Sequence, residues 1–243
     1  MSNEINIDFK NATLEAIYWW NRVEYRYHEH FKLFDEIYNN KKLLPFFTSK
    51  VFELFLREYS IRRNIEKGYE KVDEFINELF KHNFVHRVKE GDIKVVDAVS
   101  SKMKEGNTTN KNEIRSLLSK IAFLINPKDF SLLDSFVKDS LWSIIKSEKK
   151  CKKYELECYT EFINQTEKQL LINKDIIREK MKLLENFTDT DAYRFFSINP
   201  KAFERRIYDK YLWIRKQKEN KDAREIDNEE YLTLLKLLKS QNN

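Results

Sequence analysis

The sequence predicts an all-α protein, and three observations carry the prediction. Glycine and proline occur only three times each in 243 residues, far below the roughly 12 per cent that average usage gives the pair, which disfavours turn-rich sandwiches, propellers and glycine-loop nucleotide folds. Apolar residues recur near every 3.6 positions over most of the chain, the period of a helix with a buried face. The composition, 35% charged, 41% hydrophobic and 14% aromatic, is too rich in core-forming side chains for a disordered chain. The length suffices for one large domain or two small ones.

The elements follow in order. Leu14, Ile17, Tyr18, Tyr25, Phe31, Phe34, Ile37 and Tyr38 predict a helix over 11–44, slightly broken at 35–40 and ended by Pro45. Val51, Phe52, Leu54, Phe55 and Tyr59 predict a second over 49–62. Val72, Phe75, Ile76, Leu79 and Phe80 predict a third over 66–82. Between 84 and 99 a short hairpin around Gly91-Asp92 competes with a helix; the spacing of Val95, Val96, Val99 and Met103 favours a helix over 93–104 capped by Asp92. The clearest loop is 104–109, followed by a near capping box in Asn110 and Glu113. The next helix runs to Ile125 and is stopped by Asn126-Pro127, because the residue before proline avoids the helical region.

Further helices are expected over 133–149 and 153–184, with a break at 186–191. The last long helix opens with Asn199 as cap, Pro200 at the first position and Ile198 stapled onto Phe203. The stretch 125–130 (Ile-Asn-Pro-Lys-Asp-Phe) is echoed at 198–203 (Ile-Asn-Pro-Lys-Ala-Phe), which we read as one good helix boundary used twice. A single helical domain over 1–218 is thus followed by a charged tail over 219–243, acidic at first and ending in a short amphipathic helix at 231–238.

The net charge of +5 is mildly basic. Basic residues cluster at 201–218 and at Lys146, Lys149, Lys150, Lys152 and Lys153; such runs are ordinarily solvated helix faces, and they also suit a phosphate backbone. Cys151 and Cys158, seven residues apart on one helix, are too far apart to bridge, so reduced thiols are expected. The N-terminus lacks a signal-peptide pattern and no apolar run approaches a membrane span, which predicts a cytoplasmic protein with no membrane partner.

Most motif-bearing enzymes are excluded: there is no phosphate-binding glycine loop, Gly-x-Ser-x-Gly, His-Glu-x-x-His or Cys-x-x-Cys. His82 and His86 could share a helix face but have no neighbouring thiol or carboxylate pair, so no metal site and no cofactor are expected. Trp19, Trp20, Tyr25 and Tyr27 read as core rather than as a base-stacking surface. What remains is the stretch 110–142. Ile114, Leu117, Leu118, Ile121 and Ile125 form an apolar stripe that leaves Lys120 about 120° from its centre, counting 100° per residue, at the edge of a cleft. Asp134 stands where a side chain caps the following helix. The plain alternatives are a solvated flanking lysine and an ordinary N-cap.

Lys120-Ile121-Ala122 followed by Leu133-Asp134-Ser135-Phe136-Val137 resembles the helix-hairpin-helix DNA glycosylases, in particular the lyase-type branch of 8-oxoguanine DNA glycosylase and its small bacterial relatives. The stretch 206–213, from Arg206 to Trp213, looks like the closing helix of those relatives. The resemblance covers roughly a fifth of the chain. It implies a two-lobed helical fold, the lobes meeting near 105–135, and a partner in double-stranded DNA from which one base is flipped into a pocket. It implies that Lys120 is the nucleophile forming a Schiff base and Asp134 the carboxylate that stabilises charge building on the sugar. Lys120 would then need burial or cationic neighbours such as Arg115 and Lys128 to act as a free amine. Lys102, Lys104, Lys111, Arg115 and Lys128 are expected to contact DNA, and Phe130, Tyr208 and Trp213 to line the base pocket. The stretch 110–119 has no glycine where the family's hairpin is glycine-rich, so a non-catalytic nucleic-acid-binding protein on the same scaffold, or a helical protein-interaction module, stands as the alternative.

Overall fold

The computed structural model describes residues 3–61, 65, 69–106, 114–148 and 152–219. Among these every regular element is helical, so the all-α prediction holds. The tail from Asn220 onward, the capping-box residues Asn110 and Glu113, and Lys111, Lys149, Lys150 and Cys151 lie outside the described residues. The chain divides into two compact units: one of residues 1–26, 134–157 and 161–243, the other of residues 27–133 and 158–160.

The first unit is organised by its longest helix. α1 (Asn3–Trp19) leads into a π-helical turn at Trp20–Glu24, and the chain returns to this unit with α10 (Ser135–Ile145). After most of α11 (Tyr159–Ile172) come α12 (Lys174–Met181), α13 (Asp191–Phe196) and α14 (Pro200–Glu219). α14 packs along α1, α10 and α12. Its inner face buries Ala202, Phe203, Ile207, Tyr208, Tyr211 and Leu212, while α1 contributes Phe9, Ala12, Ala16 and Ile17. Fully burying a large apolar side chain contributes about 1.5–3 kcal/mol. Phe9 stacks on Tyr211 at 4.1 Å, Trp20 on Phe195 at 4.4 Å, and Phe196 on Phe203 at 4.6 Å.

Charges also enter this core. The Arg206 guanidinium, 3% exposed, grips both oxygens of Glu24, with Nε at 3.0 Å from Oε2, and also pairs with Asp209. A planar fork against a carboxylate satisfies most of its donors, which is what makes burial of such a pair tolerable.

The second unit gathers two clusters. The remainder of α2 (Tyr25–Lys32) is followed by α3 (Phe34–Asn39), α4 (Leu44–Phe46), a π-helical run Phe47–Phe52, α5 (Glu53–Glu58) and α6 (Tyr69–Lys81). Phe31, Phe34, Phe47, Phe52, Phe55 and Phe75 from these elements pack ring against ring, Phe31 lying 5.0 Å from Phe55 and Phe34 4.9 Å from Phe47. The other cluster joins α7 (Phe84–Lys89), α8 (Val95–Glu105) and α9 (Arg115–Ile125) through Val85, Val88, Val96, Val99, Leu118 and Ile121, all buried.

Several boundaries differ from expectation. Pro45 sits in the first turn of α4 rather than ending a helix, where its missing N–H costs nothing. The expected break at 35–40 falls instead at 40–43, where the Asn40 side chain accepts from the Lys42 amide. Asn83, with φ of 54°, separates α6 from α7, so His82 and His86 do not share a helix. No hairpin forms at 84–99. The turn between α7 and α8 is made by Gly91 at φ +80°, where a Cβ would also meet the Asp129 carboxylate at 3.1 Å. Asp92 accepts from the Lys94 amide within that turn and pairs with Arg87, and it makes no helix cap.

The predicted helix over 153–184 is four pieces: 3₁₀ turns at Lys153–Glu157 and Lys182–Phe187 flank α11 and α12, with Cys158 and Asn173 at the breaks. The Ile198 staple is not made: Ile198 is 77% exposed and Phe196 occupies the face of Phe203 instead. Asn199 directs its side chain back to the Phe195 carbonyl rather than forward as a cap.

Removing one member of a buried ion pair leaves the other uncompensated, a loss of about 3–5 kcal/mol. Glu24→Ala is therefore expected to lower the unfolding free energy by about 3 kcal/mol, read from urea unfolding, with little change in helical circular dichroism below the transition.

Candidate functional site

In α9 every residue from Leu117 to Ile125 is buried, including Lys120 at 6% exposure. The expectation of one apolar stripe with Lys120 at a cleft edge fails because α9 is not a surface helix: α7 and α8 pack on it, and the His28 ring bonds the Leu124 carbonyl at 2.7 Å. Burial lowers the His28 pKa, partly offset by that carbonyl.

The Lys120 amine donates to Ser116 Oγ at 2.8 Å, to the Ser116 carbonyl at 3.3 Å and to the Leu133 carbonyl at 3.4 Å. Its neighbour Ser119 accepts from the Leu133 amide at 3.0 Å. Consecutive residues of α9 thus hold both backbone polar groups of Leu133, the residue before Asp134. Two residues earlier, Ser131 exchanges two hydrogen bonds with the Tyr159 hydroxyl, its amide donating at 3.0 Å and its carbonyl accepting at 2.8 Å.

Asp97, on α8, gathers the neighbouring segments. It accepts from Arg115 Nε at 2.6 Å, the Tyr159 and Thr160 amides at 2.8 and 2.9 Å, the Thr160 hydroxyl at 2.8 Å and the Cys158 thiol at 3.2 Å. Burial pushes this carboxyl up, but the Thr160 and Tyr159 amides, the Thr160 hydroxyl and the Cys158 thiol together outweigh it and hold the pKa below the ordinary value. Arg115, expected to face DNA, has its charge engaged here. Of the other predicted DNA contacts, Lys102, Lys104 and Lys128 are exposed. Phe130 is fully buried, its ring parallel to that of Tyr159 at 6.3 Å.

In the first unit Asp134 caps α10: its backbone is extended and Oδ1 accepts from the Val137 amide at 2.8 Å. Oδ2 accepts from Trp213 Nε1 at 3.1 Å, and the Trp213 indole rests against Phe136 at 5.2 Å. One turn earlier on α14, Asp209 is buried and its Oδ1 has no hydrogen-bond partner. Burial raises its pKa to about 6, Arg206 opposing the rise and the charge of Asp134 adding to it. Burial, reinforced by Arg206, lowers the following Lys210 to about 8 against the pull of Glu15 and Glu24. Tyr208 is fully buried, and burial pushes its phenol well above the ordinary value.

Ser116, Ser119, Asp97, Tyr159 and Asp209 were not singled out from the sequence. Only Ser116, four residues before Lys120, and Asp209, four before Trp213, had a local signal, that of sharing a helix face. Among the described residues no group of three or more His, Cys, Asp or Glu is placed to hold a metal ion, and no helix is long and apolar enough to cross a membrane. Compared with known proteins, the chain matches no family model, no curated protein and no solved structure.

The Asp97 hub yields a signed expectation. Its folded pKa lies below the unfolded value of 3.8, so its stabilisation is complete above that value and lost as pH falls through the folded one. Asp97→Asn should cost about 2–3 kcal/mol at pH 7, a range typical of hydrogen bonds to a charged group. The gap between wild type and variant in urea unfolding should narrow only below about pH 4.

Proposed function

We propose that the protein is a lysine-dependent DNA glycosylase of the helix-hairpin-helix kind, a two-lobed cytoplasmic enzyme that flips a modified base out of double-stranded DNA and excises it. The observation that carries this reading is the Lys120 amine: it is buried, it bonds to neutral oxygens of Ser116 and Leu133, and the second of these belongs to the residue preceding Asp134. A lysine amine attacks only without its proton, and removal from water favours the neutral form.

In the proposed reaction Lys120 Nζ attacks C1′ of the flipped nucleotide while the glycosidic bond breaks and its electron pair leaves with the base. The departing base takes up a proton and the amine gives one up. The sugar ring then opens to a Schiff base, from which loss of the 2′ proton and the 3′ phosphate nicks the strand. Asp134 supplies the negative charge that offsets the cationic sugar as the bond loosens. Lys102, Lys104 and Lys128, together with Lys111, supply phosphate contacts, and Phe130, Tyr208 and Trp213 belong to the base pocket in this reading.

A second reading, nucleic-acid binding without catalysis, is favoured by one observation: both oxygens of Asp134 are already taken by the α10 amide and the Trp213 indole. It predicts salt-steep DNA binding that survives alanine at both Lys120 and Asp134, with no base released.

The deciding measurement is borohydride trapping on duplexes carrying a panel of oxidised, deaminated and alkylated bases. Wild type should form a covalent adduct, and Lys120→Ala and Lys120→Met should each abolish it and slow excision by about 10³-fold or more. An adduct of undiminished yield in both variants removes Lys120 as the nucleophile.

A further inference from the structure

Trp213 has its one polar group committed within its own unit. The indole N–H is a donor only, and at 3.1 Å it is spent on Asp134 Oδ2. The other oxygen of that carboxylate is fixed by the Val137 amide at 2.8 Å. A carboxylate held through a single oxygen turns about a broad torsion. Donors on both oxygens, one from α10 and one from α14, fix its plane. The packing of α10 along α14 and the contact of the indole with Phe136 at 5.2 Å in turn fix the donor.

We infer that Trp213 is a positioning residue that orients the Asp134 carboxylate, rather than a wall on which a flipped base stacks. The inference rests on the glycosylase reading, in which the value of Asp134 lies in a charge held where the cationic sugar forms. Electrostatic stabilisation of a transition state depends on such preorganisation, because a group that must turn toward the developing charge loses part of its effect. An indole already bonded to Asp134 has no second polar group with which to read a base edge. The hydrogen bond therefore sets turnover, and affinity for the lesion comes from other residues.

Trp213→Phe retains an aromatic ring beside Phe136 and removes only the donor. It should slow single-turnover excision by about 10- to 100-fold, the range that small misplacements of a reacting group produce, with duplex affinity changed less than about twofold. An unchanged excision rate overturns the inference. So does a loss confined to duplex affinity, which would mark Trp213 as a base-stacking residue.

A second arm reads the bond without activity. Asp134→Ser keeps a cap acceptor for the Val137 amide and deletes the oxygen facing the indole. The Trp213 indole N–H resonance of ¹⁵N-labelled protein should move upfield and exchange faster with solvent, and an unmoved resonance also overturns the inference. Should wild type excise no base from any duplex while the resonance still moves, the glycosylase reading fails. Trp213 is then reduced to a structural donor at the α10 cap, which ends the positioning role as well.

Discussion

The grip of α9 on Leu133 is the contact on which the candidate site depends. Ser119 takes the amide of this residue and Lys120 reaches its carbonyl, so a backbone segment without secondary structure of its own is satisfied by side chains of a buried helix. A buried peptide group without partners costs free energy comparable to a lost hydrogen bond. The stretch from Phe130 to Leu133 meets that demand through Ser119, Lys120 and the Tyr159 hydroxyl. Lys120 thereby has a structural task and a chemical opportunity at once: the contact that seats the chain before Asp134 also places an amine away from water.

Both units admit charge into their interiors, and each does so by pairing it. In one, Asp97 collects an arginine, two amides, a hydroxyl and a thiol from segments about sixty residues away in sequence. In the other, Arg206 joins the π-helical turn at Glu24 to Asp209 on α14. The contrast lies in how completely each carboxylate is satisfied. Asp97 is held below its ordinary pKa, whereas Asp209, with one oxygen lacking a partner, is raised to about 6.

The parts of this structure that were legible in the sequence are those decided within a few residues. The stop at Asn126-Pro127, the cap at Asp134 and the opening of α14 at Pro200 follow from backbone chemistry at those positions. Helix periodicity placed α6, α8 and α9 to within a few residues. It misplaced Lys120, because stripe arithmetic assumes one buried face and α9 has none that is exposed between Leu117 and Ile125. The Ile198 staple was a sound local rule defeated by a better partner, Phe196. The reach of Asp97 to Tyr159 and Thr160, and of Trp213 to Asp134, is tertiary, and no local spacing announces it.

Because α9 is enclosed on every side, its backbone can shift only if α7 and α8 shift with it. Close-packed interiors resist such displacement. Any travel of the Lys120 nitrogen toward a ligand is therefore confined to rotation about its four methylene groups after release from Ser116. That makes the helix a fixed pivot and the side chain its only moving arm.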